Sequence, residues 1–193
     1  MRARALLGTV AIVGLLATGC GSGTATGSHQ SAGHDMSGSA MNMDMSTGHG
    51  PSDSAAMICA PEIRKAVQRT FATTHKPRSV HSWSKSDRVY SCSYGLSHGN
   101  LAMSVQDSLD KNRGRAYFDA LRQRLAGATT IRGLENFGFP AFKTSSGNVV
   151  FLKDGKTLQV DASAVPAKAL PHGFSREEAA FSVASAVVAC WTE

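Results

Sequence analysis

Methionine and histidine, two uncharged side chains that bind soft and borderline metal ions, are concentrated near the start of the chain. Four of the seven methionines fall within ten residues, and three of the seven histidines flank them. Thioether sulfur is a soft ligand that selects Cu(I) over hard cations, and imidazole binds copper and zinc. We therefore expect a copper site, with Cu(I) favoured, formed by His29, His34, Met36, Met41, Met43, Met45 and His49.

The spacing of three of these methionines favours binding of one ion by several sulfur atoms. Met41, Met43 and Met45 alternate with other residues, and alternate side chains of an extended chain point the same way. The segments HDMSG and MNMDM resemble the methionine- and histidine-rich segments of bacterial copper-resistance proteins. That resemblance implies capture or handover of copper, or of silver, rather than catalysis.

The surrounding sequence predicts that these donors lie on a disordered tether, which we assign to residues 20–56. Glycine, serine, threonine and alanine dominate the tether, and they bury too little apolar surface to offset the entropy of ordering the chain. The donors are therefore not needed for packing. The alternative is that the methionines are an accident of composition, because methionine in a flexible linker costs the fold nothing.

A signal peptide, assigned to residues 1–19, precedes the tether. It begins with Arg2 and Arg4, and the apolar run of residues 5–17 is shorter than the roughly 20 residues that a membrane-spanning helix needs. Small residues then lead to Cys20, as at a signal cleavage site. The pattern resembles the lipobox of bacterial lipoproteins, which implies lipidation of Cys20 and anchoring at the extracytoplasmic face of the cell membrane. The alternative is an ordinary secreted protein.

Charge is divided unevenly between the tether and the rest of the chain. Residues 21–56 contain three aspartates and no lysine or arginine, whereas residues 57–193 contain 18 lysines and arginines against 11 acidic residues. A basic domain is attracted to anionic headgroups, although a solvated surface that keeps the domain soluble is the simpler explanation. Secretion removes the chain from nucleic acid, so we expect a membrane as partner and no nucleic acid.

Residues 57–193 suit a single domain, and three of its segments have helical features. Apolar residues recur at helical spacing after Pro61, and a second apolar stripe covers residues 112–126 ahead of Gly127 as a C-terminal cap. A capping box at Ser175 begins the third helix. That helix is apolar almost all round, which predicts deep burial of Phe181, Val183, Val187 and Val188.

Alternating residues predict about five or six strands, mostly joined by hairpins. Residues 88–94 and 101–105 alternate on either side of turn residues. We assign Tyr90, Cys92 and Tyr94 to one face and Leu101, Met103 and Val105 to another. Short strands are expected near residues 129–131 and 139–142, and NVVFLK-DG-KTLQVD predicts a hairpin with a two-residue turn. Because hairpins dominate, we expect an α+β domain with an antiparallel sheet.

Three cysteines remain for disulfide formation once Cys20 is lipidated. They are Cys59, Cys92 and Cys190. In an oxidising compartment two of them are expected to pair, and the sequence permits any of the three pairings.

Four short motifs in residues 57–193 form a set. They are Cys59 before the first helix, Tyr-Ser-Cys92-Ser-Tyr, Gly-Leu-Glu at 133–135 ahead of Phe-Pro-Ala-Phe at 139–142, and Cys-Trp-Thr at 190–192. Together they resemble uncharacterised actinobacterial lipoproteins with a single α+β domain of unknown function. The resemblance implies a Cys59–Cys92 disulfide that leaves Cys190 unpaired, and it supplies no activity. A bridge from Cys59 to Cys190 would tie the two terminal helices together and stays open.

The domain lacks the sequence signatures of common catalytic sites, since it has no zinc-protease, serine-hydrolase, phosphate-loop or C-x-x-C motif. Its histidines, His75, His81, His98 and His172, are scattered and are expected at the surface. We therefore expect a protein that is not an enzyme and whose tether sequesters or hands over copper to copper-handling or cell-surface proteins. The alternative is a cell-surface interaction or sensor module whose tether is only a spacer.

Overall fold

The computed structural model describes residues 50–191, except for the side chains of Glu135 and Phe137. The described residues form an α+β domain with an antiparallel sheet, which confirms the predicted fold class. They contain four α-helices, against three predicted: α1 (Asp53–Ala56), α2 (Pro61–Thr70), α3 (Lys111–Arg124) and α4 (Arg176–Cys190). They contain seven strands, against five or six predicted: β1 (Arg78–Ser84), β2 (Val89–Gly95), β3 (Asn100–Asp107), β4 (Thr129–Ile131), β5 (Ala141–Lys143), β6 (Asn148–Lys153) and β7 (Lys156–Asp161).

The seven strands form one sheet in the order β1-β2-β3-β7-β6-β5-β4. The first three strands are joined by hairpins, and β4 to β7 form a second meander that returns to the middle of the sheet, where β7 pairs with β3. The helix α3 makes the connection from β3 to the far edge. Both halves of the sheet are therefore built from local hairpins, and one long crossover joins them.

The β2–β3 hairpin is confirmed, but the assignment of its apolar residues to different faces is wrong. Tyr94 lies opposite Leu101, and Cys92 lies opposite Met103. Directly opposite residues of an antiparallel pair point to the same face. Both apolar sets therefore belong to one face, where they are buried together.

The β6–β7 hairpin is confirmed, including its turn. Asp154 and Gly155 have φ angles of 50° and 77°, and a positive φ at both central residues is the requirement of a type I′ turn. The turn also packs against the start of α3, because a Cβ built on Gly155 would lie 3.3 Å from the Cα of Lys111.

The folded domain begins before Met57, where the sequence placed the end of the tether. The hydroxyl of Ser52 accepts a hydrogen bond from the backbone N–H of Ala55 and thereby caps α1, and Ala55 is fully buried. A 3₁₀ turn, Met57–Cys59, joins α1 to α2. The predicted start of the domain at residue 57 is therefore too late, because Ser52 and Ser54 are hydrogen-bonded to Asp107 and Trp191 and Ala55 is buried.

The strand β1 was not predicted. It reads RSVHSWS, and its residues are exposed or half-buried, so it lacks the alternation that marks a strand with one buried face. It forms the edge of the sheet and is held by its register with β2. Tertiary pairing, rather than its own burial, keeps this segment extended.

Helices cover the two faces of the sheet unequally. One face carries the main core, in which α1, α2 and α4 pack on the sheet. The other face packs against α3 in a smaller cluster of Phe118, Leu121, Phe142, Val150 and Leu152. Four of the seven strands, β1 to β3 and β7, contribute polar side chains to the remainder of that second face, which α3 leaves uncovered.

The last helix begins at the predicted capping box. The hydroxyl of Ser175 accepts from the backbone N–H of Glu178, and the Glu178 carboxylate accepts from the backbone N–H of Ser175. Val183 and Val187 are fully buried, as expected. Phe181 is 37% exposed and Val188 is only half-buried, so their predicted deep burial is wrong. The inner side of α4 is instead lined mostly by alanine and valine, which allows a close approach to the sheet.

Candidate functional site

The predicted copper ligands and the predicted lipidation site lie outside the described residues 50–191. These residues are Cys20, His29, His34, Met36, Met41, Met43, Met45 and His49. Their assignment therefore stays a prediction made from residue type, spacing and cellular compartment.

Within residues 50–191, no group of three or more histidine, cysteine or acidic side chains is arranged to hold a metal ion. His75, His81, His98 and His172 are all exposed, as the sequence predicted. The ring of His81, on the edge strand β1, lies 5.8 Å from the ring of Tyr90. The contact is that of a side chain packing on its neighbour in the sheet.

A disulfide joins Cys59 to Cys92, with a Cα–Cα distance of 5.7 Å. It links the turn before α2 to β2 and confirms the pair that the family resemblance implied. Cys190 does not carry a free thiol, so the implication that it is left unpaired is wrong. The described chain therefore offers no reactive cysteine.

Asp107, at the end of β3, is only 1% exposed. Its carboxylate accepts a 2.8 Å hydrogen bond from the backbone N–H of Ser52 and lies 3.6 Å from the Arg88 guanidinium. The Arg88 Nε–H also donates to the Asp107 carbonyl oxygen at 2.7 Å. Buried charges are tolerated when they are paired and hydrogen-bonded. Asp107 therefore attaches Ser52, at the start of the domain, to the end of β3, and Arg88 compensates its buried charge.

The uncovered part of the second face forms a shallow cleft of about 370 Å³. Its lining includes the polar residues Ser82, Ser91, Ser93, Ser104, Gln159 and Asp161 together with the apolar residues Val80 and Ala102. The Asp161 carboxylate accepts from the backbone N–H of Ser163 at 2.8 Å, and the Gln159 amide donates to Asn148 at 2.8 Å. Neither a lysine nor an arginine lines the cleft, and His81, which does line it, has its ring 5.8 Å from the ring of Tyr90. The cleft can therefore bind a partner through hydrogen bonds.

Sequence reasoning missed this cleft, although a signal for it was present. In β2, Ser91 and Ser93 alternate with the buried Tyr90, Cys92 and Tyr94. That alternation indicates a polar second face, but it does not reveal which part of the face a helix covers.

A second polar surface of the domain is the outer side of α3. This helix carries five basic residues in fourteen positions, and all five are exposed: Lys111, Arg113, Arg115, Arg122 and Arg124. The acidic side chains beside them are Asp119, which lies 2.9 Å from Arg115, and the N-cap Asp110. The helix therefore presents a net positive surface.

None of the helices in residues 50–191 is both long and apolar enough to cross a membrane. In comparisons with known proteins, no family model, no curated protein and no solved structure matches this chain. The likeness to actinobacterial lipoproteins and to copper-resistance proteins thus depends on short motifs, and it stays a prediction.

Proposed function

We propose that this protein is a lipid-anchored lipoprotein at the extracytoplasmic face of the cell membrane, and that its tether binds copper for sequestration or handover. The observation that carries the proposal is the grouping of four methionines and three histidines between positions 29 and 49. The folded domain is its platform or docking surface, and the protein is not an enzyme. The partners are the membrane and other copper-handling or cell-surface proteins.

The chemistry of the donors defines how copper is held. Thioether ligands favour Cu(I), and they bind without losing a proton, so acid does not weaken them directly. Histidine must be neutral to bind, so its contribution falls as the pH drops below its pKa. A ligand set without a preformed geometry has to be ordered on binding, which keeps the affinity modest. Modest affinity suits a protein that passes its ion to another.

A copper titration tests the proposal. The chain from Gly21 onward is titrated with Cu(I) in competition with a chromophoric chelator, and the titration is repeated after replacing Met36, Met41, Met43 and Met45 by serine. We expect the quadruple variant to lose most of its ability to withdraw Cu(I) from the chelator. Superimposable curves would exclude the copper function and leave the tether as a spacer.

The chain offers a matched control for the histidines. His29, His34 and His49 are replaced by alanine in one variant, and the exposed domain residues His75, His98 and His172 are replaced in another. We expect only the first variant to bind Cu(II) more weakly, because imidazole nitrogen accepts Cu(II) better than thioether sulfur does. Equal losses in both variants would show that copper binds to any accessible imidazole.

Lipidation is tested separately in bacterial cells. We expect wild-type protein to take up labelled palmitate and to sediment with membranes, and Cys20→Ser to do neither. Mass analysis of the N-terminal peptide should find diacylglycerol on the Cys20 sulfur. Recovery of Cys20 without lipid, either as a thiol or after reduction of a disulfide, would contradict the anchor.

The alternative function, a cell-surface interaction module, is favoured by the hydroxyl-lined cleft. Photo-crosslinking in living cells discriminates it: a benzophenone amino acid replaces Ser93 in the cleft or, as control, the exposed Lys65 of α2. Under this alternative, Ser93 gives a discrete adduct that Lys65 does not give, and the adduct persists when the tether methionines are replaced. The same adducts from both positions would indicate only random collision.

A further inference from the structure

The five basic residues of α3 form two rows along the helix. Lys111, Arg115 and Arg122 are spaced by four and seven residues, and Arg113 and Arg124 by eleven, so the two sets lie on opposite flanks of the helix, one on each side of its buried stripe. Between the two rows lie small and polar exposed residues, among them Ala116 and Ala120. We call this surface, Lys111 to Arg124 on the side away from the sheet, the α3 outer face.

Packing on the sheet determines which side of α3 is outward. Phe118 and Leu121 are buried in the cluster with Phe142, and the rings of Phe118 and Phe142 lie 5.1 Å apart. Gly114 approaches the backbone of Gly155 so closely that an added Cβ would overlap its carbonyl oxygen. The helix therefore cannot roll, and its cations stay on the surface.

Few acidic groups neutralise the α3 outer face. Asp119 pairs with Arg115, and both side chains are well exposed. Asp110 accepts from the backbone N–H of Arg113 as the helix cap. Among the residues that the structure describes, the side chains of Lys111, Arg113 and Arg124 form no ion pair. A surface with five cations and two carboxylates keeps a positive potential.

The same end of the domain receives the tether. Ser52, at the start of the described chain, is hydrogen-bonded to Asp107 at 2.8 Å, and Asp107 lies three residues before the α3 cap. Leu109, in the connection between them, is 83% exposed. The large apolar side chain of Leu109 is thus exposed to solvent just before α3 and its cations, on the segment that follows Asp107.

We propose that the α3 outer face rests against anionic phospholipid headgroups, with Leu109 entering the boundary between headgroups and acyl chains. The proposal depends on the lipid anchor proposed above, which keeps the domain close to a membrane. Lysine and arginine side chains extend along a helix surface and place their charges among phosphates. Contact of this kind holds the domain against the bilayer and brings the tether into the same layer.

A vesicle-binding experiment without the anchor tests the proposal. The mature chain carrying Cys20→Ser is sedimented with vesicles of phosphatidylcholine alone or mixed with phosphatidylglycerol. We expect binding only to the mixed vesicles, and a progressive loss with added salt because exposed charges are screened. Absence of binding, or equal binding to both vesicle types, would overturn the proposal.

Two double variants with the same change in net charge locate the surface. Arg113→Gln with Arg124→Gln removes two cations of the α3 outer face, and Lys65→Gln with Arg69→Gln removes two exposed cations of α2. We expect the first pair to lower the partition coefficient about tenfold or more and the second to change it little, because each cation at the surface contributes several-fold. An equal loss in both would indicate net charge alone and would overturn the proposal.

The apolar contact and the folding of the variants are checked independently. We expect Leu109→Ser to weaken binding to mixed vesicles. Leu109→Trp should show a blue-shifted tryptophan fluorescence when it binds them. An unchanged partition coefficient and unchanged fluorescence would overturn the role of Leu109. Equal urea midpoints of all variants ensure that the comparison concerns folded protein. These chains carry no lipid, so a lack of vesicle binding would contradict only the proposed contact of the α3 outer face. A lack of palmitate labelling would contradict only the lipidation of Cys20.

Discussion

The indole N–H of Trp191 donates a 2.9 Å hydrogen bond to the carbonyl oxygen of Ser54, 137 residues earlier in the chain. The carbonyl oxygen of Trp191 in turn accepts from the Lys153 ammonium at 2.6 Å. Trp191, the residue directly after α4, therefore joins α1 to β6. Because the backbone N–H of Ser52 also donates a hydrogen bond to Asp107, the beginning of the domain is held at two points.

We expect Trp191→Phe to lower the free energy of unfolding by about 1–2 kcal/mol, because the buried ring is retained while the Ser54 carbonyl loses its donor. Trp191→Ala should cost more, about 3–5 kcal/mol, since a cavity is added. Urea denaturation measures both. The Phe variant should also be cleaved faster by protease near α1, whereas equal stability and equal cleavage would show that the hydrogen bond is dispensable.

The Cys59–Cys92 disulfide should contribute strongly to stability. The two cysteines are 33 residues apart, and closing a loop of this size in the unfolded chain is expected to stabilise the fold by about 3–4 kcal/mol. We expect Cys59→Ala with Cys92→Ala to lower the guanidinium midpoint accordingly. Wild-type protein treated with a reductant should show a decrease at least as large, since Cys190 does not carry a free thiol either, and a midpoint that survives both treatments would contradict the prediction.

Gly114 should not tolerate alanine, although it lies inside a helix. Gly→Ala in an exposed helix normally stabilises by about 0.5–1 kcal/mol. Here the added methyl group would overlap the Gly155 carbonyl oxygen, so we expect a loss of about 1–3 kcal/mol instead. Asn112→Ala, at an exposed position on the same helix, is the control and should leave the urea midpoint nearly unchanged. Stabilisation by Gly114→Ala would show that α3 can move away from the turn.

Tyr94 should make stability sensitive to alkaline pH. Its side chain is fully buried and donates a 2.8 Å hydrogen bond to the Ile58 carbonyl oxygen. Burial raises the pKa of Tyr94 to about 12 from its ordinary value of 10.0. Because the folded pKa is the higher one, the contribution is complete below the ordinary value and is lost as the pH rises through the folded value.

Tyr94→Phe provides the comparison. At neutral pH this variant should be less stable by about 1–2 kcal/mol, since the Ile58 carbonyl loses a donor. Urea midpoints measured at rising pH should then converge, because only the wild type has a Tyr94 phenol to ionise. Parallel midpoints across the alkaline range would contradict the assigned pKa direction.

Glu178 should make stability sensitive to acid. Its carboxylate accepts hydrogen bonds from the backbone N–H and the hydroxyl of Ser175, and these lower the pKa of Glu178 below its ordinary value of 4.5. A depressed folded pKa means that the contribution is complete above the ordinary value and is lost as the pH falls through the folded one. Glu178→Gln should therefore be less stable than wild type at neutral pH and equal to it in strong acid. A constant difference in urea midpoint would exclude this linkage.

Structure that depends on neighbouring residues could be predicted from the sequence. The Asp154-Gly155 turn and the capping box of Ser175 with Glu178 act over two to four residues, and both are present. The helix that begins at Pro61 follows from the same short-range chemistry. These elements can be predicted because the residues that form each of them are close together in the chain.

Structure that depends on distant partners could not be predicted. α1 is held by Asp107 and Trp191, and β1 is held by β2 and lacks a buried face of its own. That Tyr94 and Leu101 lie on the same face of the sheet likewise depends on the register between β2 and β3.

By itself, the sequence determined the α+β class, the main hairpins and the concentration of sulfur and imidazole donors ahead of the domain, because these depend on residue type and short-range spacing. Only the tertiary structure decided whether Cys59 pairs with Cys92 or with Cys190, which part of the sheet α3 leaves as a hydroxyl-lined cleft, and which residues hold Ser52 at the start of the domain. Each of these depends on packing between residues that are far apart in the chain, and no local sequence pattern encodes which distant residues will meet.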